Sequence, residues 1–217
     1  MTKHTKNNKM TSILRSILEM PYYKNYAATS GKVHNTAKHE DAIESVIMNY
    51  GLKKASRKVP QKLRDEWVSD PYSEREDMEE GTYISQPCGS HQSPDFFVKI
   101  DGRKFALECK SSKTPSPMYN SGIPKSGYIY VFTSKKYNKT TCFLGQHILS
   151  KEEKKLIDEH VEEARERDLE LRSKLENSHG IHYYTRPMII HGGDKEMTDY
   201  FLNENKEILE KRVLEWV

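Results

Sequence analysis

An Asp-Gly dipeptide, Asp101-Gly102, is the feature that most narrows what this chain can fold into. Asp-Gly tolerates the two positive φ angles of a tight two-residue turn. It stands between Asp95–Ile100, which is apolar and β-prone, and Arg103–Lys110, which alternates apolar with polar. The stretch Ser93–Lys110, SPDFFVKIDGRKFALECK, therefore predicts a β-hairpin. Its charges have a chemical reading. Residues two apart on a strand share a face, so Glu108 and Lys110 project to the same side, and the hairpin can bring Asp95 there as well. Two carboxylates and an ammonium at the end of a sheet suit a hard divalent cation and a scissile phosphate. The bland alternative is a pair of surface salt bridges, which contribute little to stability.

Composition decides whether such a hairpin belongs to a folded domain. At 217 residues, with 35% hydrophobic, 31% charged and 10% aromatic residues, the chain is polar but can bury a core. No repeat or low-complexity linker divides it, so a single domain is expected over 1–217, with 1–10 a flexible N-terminus. The net charge of +3 and a pI near 8.5 are compatible with nucleic acid without demonstrating it. No apolar run is long enough to span a membrane, and no secretory leader stands near Met1. Cys88, Cys109 and Cys142 are scattered and lack CxxC spacing. They read as reduced thiols rather than zinc ligands or disulfides, and a cytoplasmic location is expected.

Taken in order, the chain predicts a mixed central β-sheet flanked by α-helices. Thr11 caps a short helix with Ile13, Leu14, Ile17 and Leu18 on one face, ended by Pro21. A second helix, capped by Asn35 or Thr36 and stopped by Gly51, carries an apolar stripe of Ala42, Ile43, Val46, Ile47 and Tyr50. Glu40 and Glu44 lie one turn apart beside that stripe. They are either a solvated shoulder or, for Glu44 in particular, a carboxylate leaning over the sheet toward a metal. Met48 is either core or a wedge between base pairs. Leu52–Arg64, with Lys53 and Lys54, is the densest basic segment, read as phosphate contacts or as a solvated face. Asp70–Glu80 reads as an exposed acidic connection, Tyr83–Gln92 as a loop or short strand, and Ser111–Lys125 as a loop. Tyr128–Thr133 predicts a central strand and Thr140–Leu144 another. Ser150 and Glu153 make a capping box for a long charged helix to about Leu175, whose narrow apolar stripe suits packing on the sheet or on a partner subunit. Ile181–Ile190 reads as a strand and Met197–Trp216 as a helix with Phe201, Ile208, Leu209 and Val213 inward. Between these two, His191–Asp194 reads as a turn.

The hairpin's residues match what Mg²⁺ takes: one or two carboxylates, oxygen ligands, and substrate phosphate. Asp95 and Glu108 supply the carboxylates, the backbone carbonyl of Cys109 completes the set, and Lys110 lies by the attacking water. The Cys109 side chain points the other way, into the core.

Pro94-Asp95, twelve residues, then Glu108-Cys109-Lys110 resembles the signature of the PD-(D/E)XK nuclease superfamily, with Cys as the middle residue of the ExK element. The acidic helix before the hairpin falls where many members carry an extra acid. The wider block, QPCGSHQSPDF with ECKSS and PMYNSGIPK, is similar to type II restriction enzymes over about a quarter of the chain, Tyr83 to Thr133. The resemblance implies a restriction-endonuclease-like core. It also implies Mg²⁺-dependent, sequence-specific hydrolysis of double-stranded DNA leaving 5′-phosphate ends, with Asp95, Glu108, Lys110 and Glu44 catalytic. A short palindromic site implies a homodimer, and a cognate DNA methyltransferase is the expected companion. In that reading Met118, Tyr119, Asn120 and Ser121 of PMYNSGIPK, with Gln86, Ser90 and Gln92 of QPCGSHQ, are candidate groove contacts. Asn120 suits adenine. Lys113, Lys125, Lys53, Lys54 and Met48 complete the candidate DNA surface. PMYNSGIPK is otherwise a proline-stiffened crossing between strands. Two other functions remain: a structure-specific repair nuclease or junction resolvase of the same fold, and a DNA-binding protein without catalysis. The two rich loops favour restriction over the first, and the presence of Asp95, Glu108 and Lys110 disfavours the second.

Overall fold

The computed structural model describes residues 8–23, 39–89, 92–119, 123–175, 180, 183–190, 200–202 and 205–217. Asp101 and Gly102 adopt φ of 53° and 73°, the turn their chemistry predicts. Around them the elements run α1 (Lys9–Leu18), α2 (His39–Asn49), β1 (Lys53–Lys54), α3 (Gln61–Ser69), β2 (Thr82–Ser85), β3 (Phe96–Ile100), β4 (Arg103–Ser112) and β5 (Met118–Tyr119). Then follow β6 (Tyr128–Ser134), β7 (Lys139–Leu144), a single 3₁₀ turn at Gly145–His147, α4 (Lys151–Lys174), β8 (Ile189–Ile190) and α5 (Asn205–Trp216). One six-stranded sheet has the order β1-β2-β3-β4-β6-β7, while β5 and β8 form a separate antiparallel pair. The large sheet is mixed. β1 runs parallel to β2 and β4 parallel to β6, and the other neighbours are antiparallel. The α/β class with a mixed central sheet is as expected.

The sheet separates two cores. On one face Phe105, Leu107 and Cys109 of β4 pack with Met10, Ile13 and Ile17 of α1 and with Ile43 and Ile47 of α2. On the other, Ala106 joins Phe97, Tyr130, Phe132 and Trp67 of α3. Trp67 meets Phe97 edge-on at 5.3 Å, and Tyr130 stacks on Phe143 at 5.8 Å. β6 is buried along its whole length, as a strand covered on both faces must be. α5 straddles the β7 edge, with Leu209 in one core and Val213 in the other. The Ser150–Glu153 capping box is present, and α4 is exposed along its length, Leu156, Leu169 and Leu171 included, with Asp168 as its one buried residue. No helix among the described residues is long and apolar enough to cross a membrane.

Several expectations are corrected. The N-terminal helix starts two residues before Thr11: the Asn8 side chain accepts from the Thr11 N–H, and Met10 is wholly buried against the sheet, so 8–10 are not a flexible end. Asn35 and Thr36 lie outside the described residues, as do 191–199. Of the described residues 183–190 only Ile189–Ile190 is strand, and Ile208 is 47% exposed rather than inward. Ser111 and Ser112 extend β4, and Met118–Tyr119 is a strand inside the expected loop. Asp70–Glu80 is not merely an exposed connection. Its Asp77 bonds Lys99 at 2.6 Å and Lys104 at 2.8 Å, and the Lys104 side chain is fully buried under the segment.

That pairing makes a stability prediction. Burial opposes ionisation of Asp77, but the bonds from Lys104 and Lys99 outweigh it and hold the carboxyl at about 2. A depressed carboxyl contributes stability that is present above its unfolded value and lost as pH falls toward 2. Asp77→Asn at pH 7 leaves Lys104 buried beside a neutral group. It is expected to cost about 2–3 kcal/mol in urea unfolding, less than the ~3–5 of a fully buried pair because Asp77 is partly exposed. The difference should shrink below about pH 3.

Candidate active site

β3 begins at Phe96, whereas β4 continues to Ser112 on the same side. The far half of β4 is thus bare where β3 stops. The chain enters β3 through a bulge: the ladder pairs Phe96 with Leu107, yet the Asp95 N–H also donates to the Leu107 carbonyl at 2.9 Å. Two residues stand against one, which re-aims the side chain. The Asp95 carbonyl accepts from the Gln86 N–H at 2.7 Å, which ties this entry to the end of β2. Asp95 Oδ2 in turn accepts the Cys109 N–H at 2.7 Å, so a carboxylate takes the place of the missing strand. The N–H and C=O of one strand residue point to the same neighbour. The Cys109 carbonyl therefore faces the same gap, while its thiol is buried in the α1/α2 core.

Glu108 and Lys110 share a face as expected, with Lys110 Nζ donating to Glu108 Oε1 at 2.6 Å. Glu108 is 9% exposed, and its other oxygen, Oε2, is buried with no hydrogen-bond partner. Burial and the Glu108 charge, with Glu40 adding to them, push the Asp95 carboxyl from 3.8 up to about 7, against the Cys109 N–H and Lys110. An orphaned buried carboxylate oxygen and a neighbour driven toward protonation both fit a hard cation, which would satisfy the one and offset the repulsion at the other. Asp95, Glu108 and the Cys109 carbonyl are the oxygens that could hold it. Among the described residues no three His, Cys, Asp or Glu side chains close on one metal-sized point.

The acidic helix gives its two carboxylates, between which the sequence does not choose, different surroundings. Glu44 accepts from the Tyr83 hydroxyl at 2.8 Å and pairs with Lys54 at 2.8 Å, at the β1/β2 edge. It is Glu40, one turn earlier, whose charge reaches Asp95 and Cys109. The candidate DNA residues also divide. Lys125 is close to the gap, its Nζ 2.5 Å from Ser93 Oγ, and Gln86 is tied to Asp95 through its backbone. Gln92, Lys113 and Met118 are exposed. Tyr119 is 3% exposed, packed on Tyr130 and paired in strand with Ile189, so it is core and not a groove contact. Met48 is exposed and not core, and Lys53 and Lys54 form β1 at the sheet edge, separated from β4 by β2 and β3. Ser90, Asn120 and Ser121 lie outside the described residues. Sequence reasoning passed over Ser93 and Tyr128, and it left Arg64 within a generic basic run. Only the convergence of Arg64 and Lys125 on Ser93 beside the gap, visible in three dimensions, distinguishes them.

A carboxyl raised to about 7 keeps its proton in the folded chain at pH values where the unfolded chain has lost it. The folded state therefore loses stability as pH rises from about 4 through 7. In EDTA, Asp95→Asn is expected to melt higher than wild type at pH 8 and at nearly the same temperature at pH 5, since Asn keeps the acceptor for the Cys109 N–H and carries no charge. Equal melting temperatures at both pH values would show that Asp95 carries no such repulsion.

Comparisons of the chain with protein-family models, with curated proteins and with solved structures find no match.

Proposed function

We propose that this chain is a Mg²⁺-dependent nuclease of the PD-(D/E)XK type with a restriction-endonuclease-like core, acting on double-stranded DNA as a type II restriction endonuclease. One observation carries the reading: the Asp95 carboxylate, the Glu108–Lys110 pair and the Cys109 carbonyl are gathered at the bare end of β4, with Glu108 Oε2 buried and unpartnered. A pair of surface salt bridges would be solvated and fully paired, whereas Glu108 is buried and its Oε2 has no partner.

In this reading Asp95, Glu108 and the Cys109 carbonyl would hold the ion, which would supply charge neutralisation at the phosphate and acidify water. The chain's own residues do the rest. The Cys109 N–H fixes the rotamer of Asp95. Lys110 holds Glu108 through Oε1 and presents its ammonium at the same face, where it orients the attacking water and stabilises negative charge building on phosphorus. Water adds, and the bond to the 3′ oxygen breaks, leaving 5′-phosphate and 3′-hydroxyl ends. The Glu40 charge acts on Asp95 and Cys109, whereas Glu44 is engaged by Tyr83 and Lys54, which supports Glu40 as the helix acid. A two-fold target would be met by a homodimer, for which the outward α4 is the proposed pairing element; a methyltransferase protecting the same site is the expected companion.

Digestion of a sequenced plasmid with Mg²⁺, followed by sequencing of the fragment ends, tests the reading. Discrete fragments with 5′-phosphates are expected. Lys110→Ala should slow cleavage by about 10²–10³-fold, the scale of losing one charge-stabilising donor, while retaining duplex binding in a gel-shift assay. Wild-type cleavage by Lys110→Ala would remove Lys110 from the mechanism, and cutting confined to branched DNA would replace restriction by repair.

A further inference from the structure

Next to the gap lies a recess of about 490 Å³ between α3 and the turn before β6, lined by Arg64, Asp65, Lys125 and Tyr128 among others. Its charge is unbalanced: two cations face one carboxylate, and Asp65 is 59% exposed. Arg64 is 8% exposed. Its Nε donates to Asp65 at 2.8 Å and its Nη1 lies 3.4 Å from the Ser93 carbonyl. A guanidinium has five N–H donors, which these contacts do not exhaust. Lys125 Nζ donates to Ser93 Oγ and stands 5.5 Å from the centre of the Tyr128 ring. Burial and the neighbouring Arg64 lower the Lys125 pKa, as expected of two cations held together.

The recess is also rigid. The Lys125 N–H donates to the Tyr130 hydroxyl at 2.9 Å. A Cβ on Gly145 would stand 2.0 Å from the Lys125 carbonyl, so the backbones meet where only glycine fits. Converging cations with incomplete acid partners offer charge-assisted bonds to an anion. A fork of guanidinium N–H groups beside an ammonium matches the oxygens of a phosphodiester. The position is also informative. Both cations reach Ser93, two residues before Asp95, and the Glu108 charge acts on both Lys125 and Tyr128.

We infer that the Arg64–Lys125 recess is a phosphodiester-binding subsite, gripping a backbone phosphate of the strand whose neighbouring phosphate lies at Asp95 and Glu108. The inference rests on the nuclease reading and deepens it. The recess makes no base contact, so it sets the strand's position on the gap and adds nothing to sequence choice.

The test is the salt dependence of duplex binding. Fluorescence anisotropy with a labelled duplex oligonucleotide, in EDTA at about 50–200 mM salt, is measured for the full chain, Lys125→Gln, Arg64→Gln and a control, Lys211→Gln, on α5. Each phosphate contact contributes about −0.9 to the slope of log K against log salt. Lys125→Gln and Arg64→Gln are each expected to make the slope shallower by about one and to weaken binding to unrelated duplexes by a common factor. Lys211→Gln should leave both unchanged. Circular dichroism establishes folding; should Arg64→Gln fail to fold, Lys125→Gln decides alone, because its side chain is solvent-facing. A wild-type slope in folded Lys125→Gln overturns the subsite, and so does a wild-type chain that binds no duplex. Plasmid cleavage in Mg²⁺ is read in parallel. Cleavage with an unchanged slope sinks the subsite alone, whereas a shallower slope with no cleavage by wild type sinks the nuclease reading and leaves an anion subsite standing.

Discussion

The two-residue turn at Asp101-Gly102 is the constraint on which the rest of the structure depends. It admits one register, with Ile100 opposite Arg103 and Phe96 opposite Leu107. Strand side chains alternate with a period of two, so a slip by one residue would exchange the two cores' contributions and turn Glu108 and Lys110 to the wrong face. Every pairing further out inherits that register: β2 lies against β3, and β6 aligns Tyr130 with Glu108 and Phe132 with Lys110. The unequal lengths of the two hairpin strands then create the bare end at which the carboxylates meet.

The gap and the Asp77 network show two opposite ways of burying charge. At Asp77, two ammonium groups share one carboxylate with close bonds to both of its oxygens, and the result holds the segment over the sheet. At Asp95 and Glu108, two carboxylates are brought together with a single ammonium bonded to one of them, and an oxygen is left unpaired. The first arrangement is self-sufficient and reads as structure. The second is stable only at a cost that the surrounding strands must cover, as sites for charged ligands commonly are.

Much of this was legible in the residues, because the informative signals were local. The Asp-Gly turn, the apolar run YIYVFT and the Ser150–Glu153 capping box each specify an element within a few positions, and all three are present. The spacing of Glu108 and Lys110 placed them on one face for the same reason. What escaped depends on contacts distant in the chain. Tyr119 is core because it pairs with Ile189, seventy positions on. Met10 is core because α1 lies across β7, and Ile208 is exposed because α5 turns its Leu209 and Val213 to the sheet instead. Glu40 and Glu44 look equivalent on a helical wheel; only the helix's placement over the sheet decides which nears Asp95. The bulge at Asp95 follows from where β3 ends, which periodicity alone does not mark.

The sheet's outer strand carries a consequence for assembly. β1 is two residues long and both are exposed lysines. A short lysine edge resists the addition of another strand, since each incoming chain meets repelling ammonium groups and too few free backbone groups to compensate. The opposite edge, β7, is covered by α1 and α5. Neither edge of the six-stranded sheet therefore offers a ready template for continuing it into a neighbour. The same closure guards the sheet against open-ended aggregation.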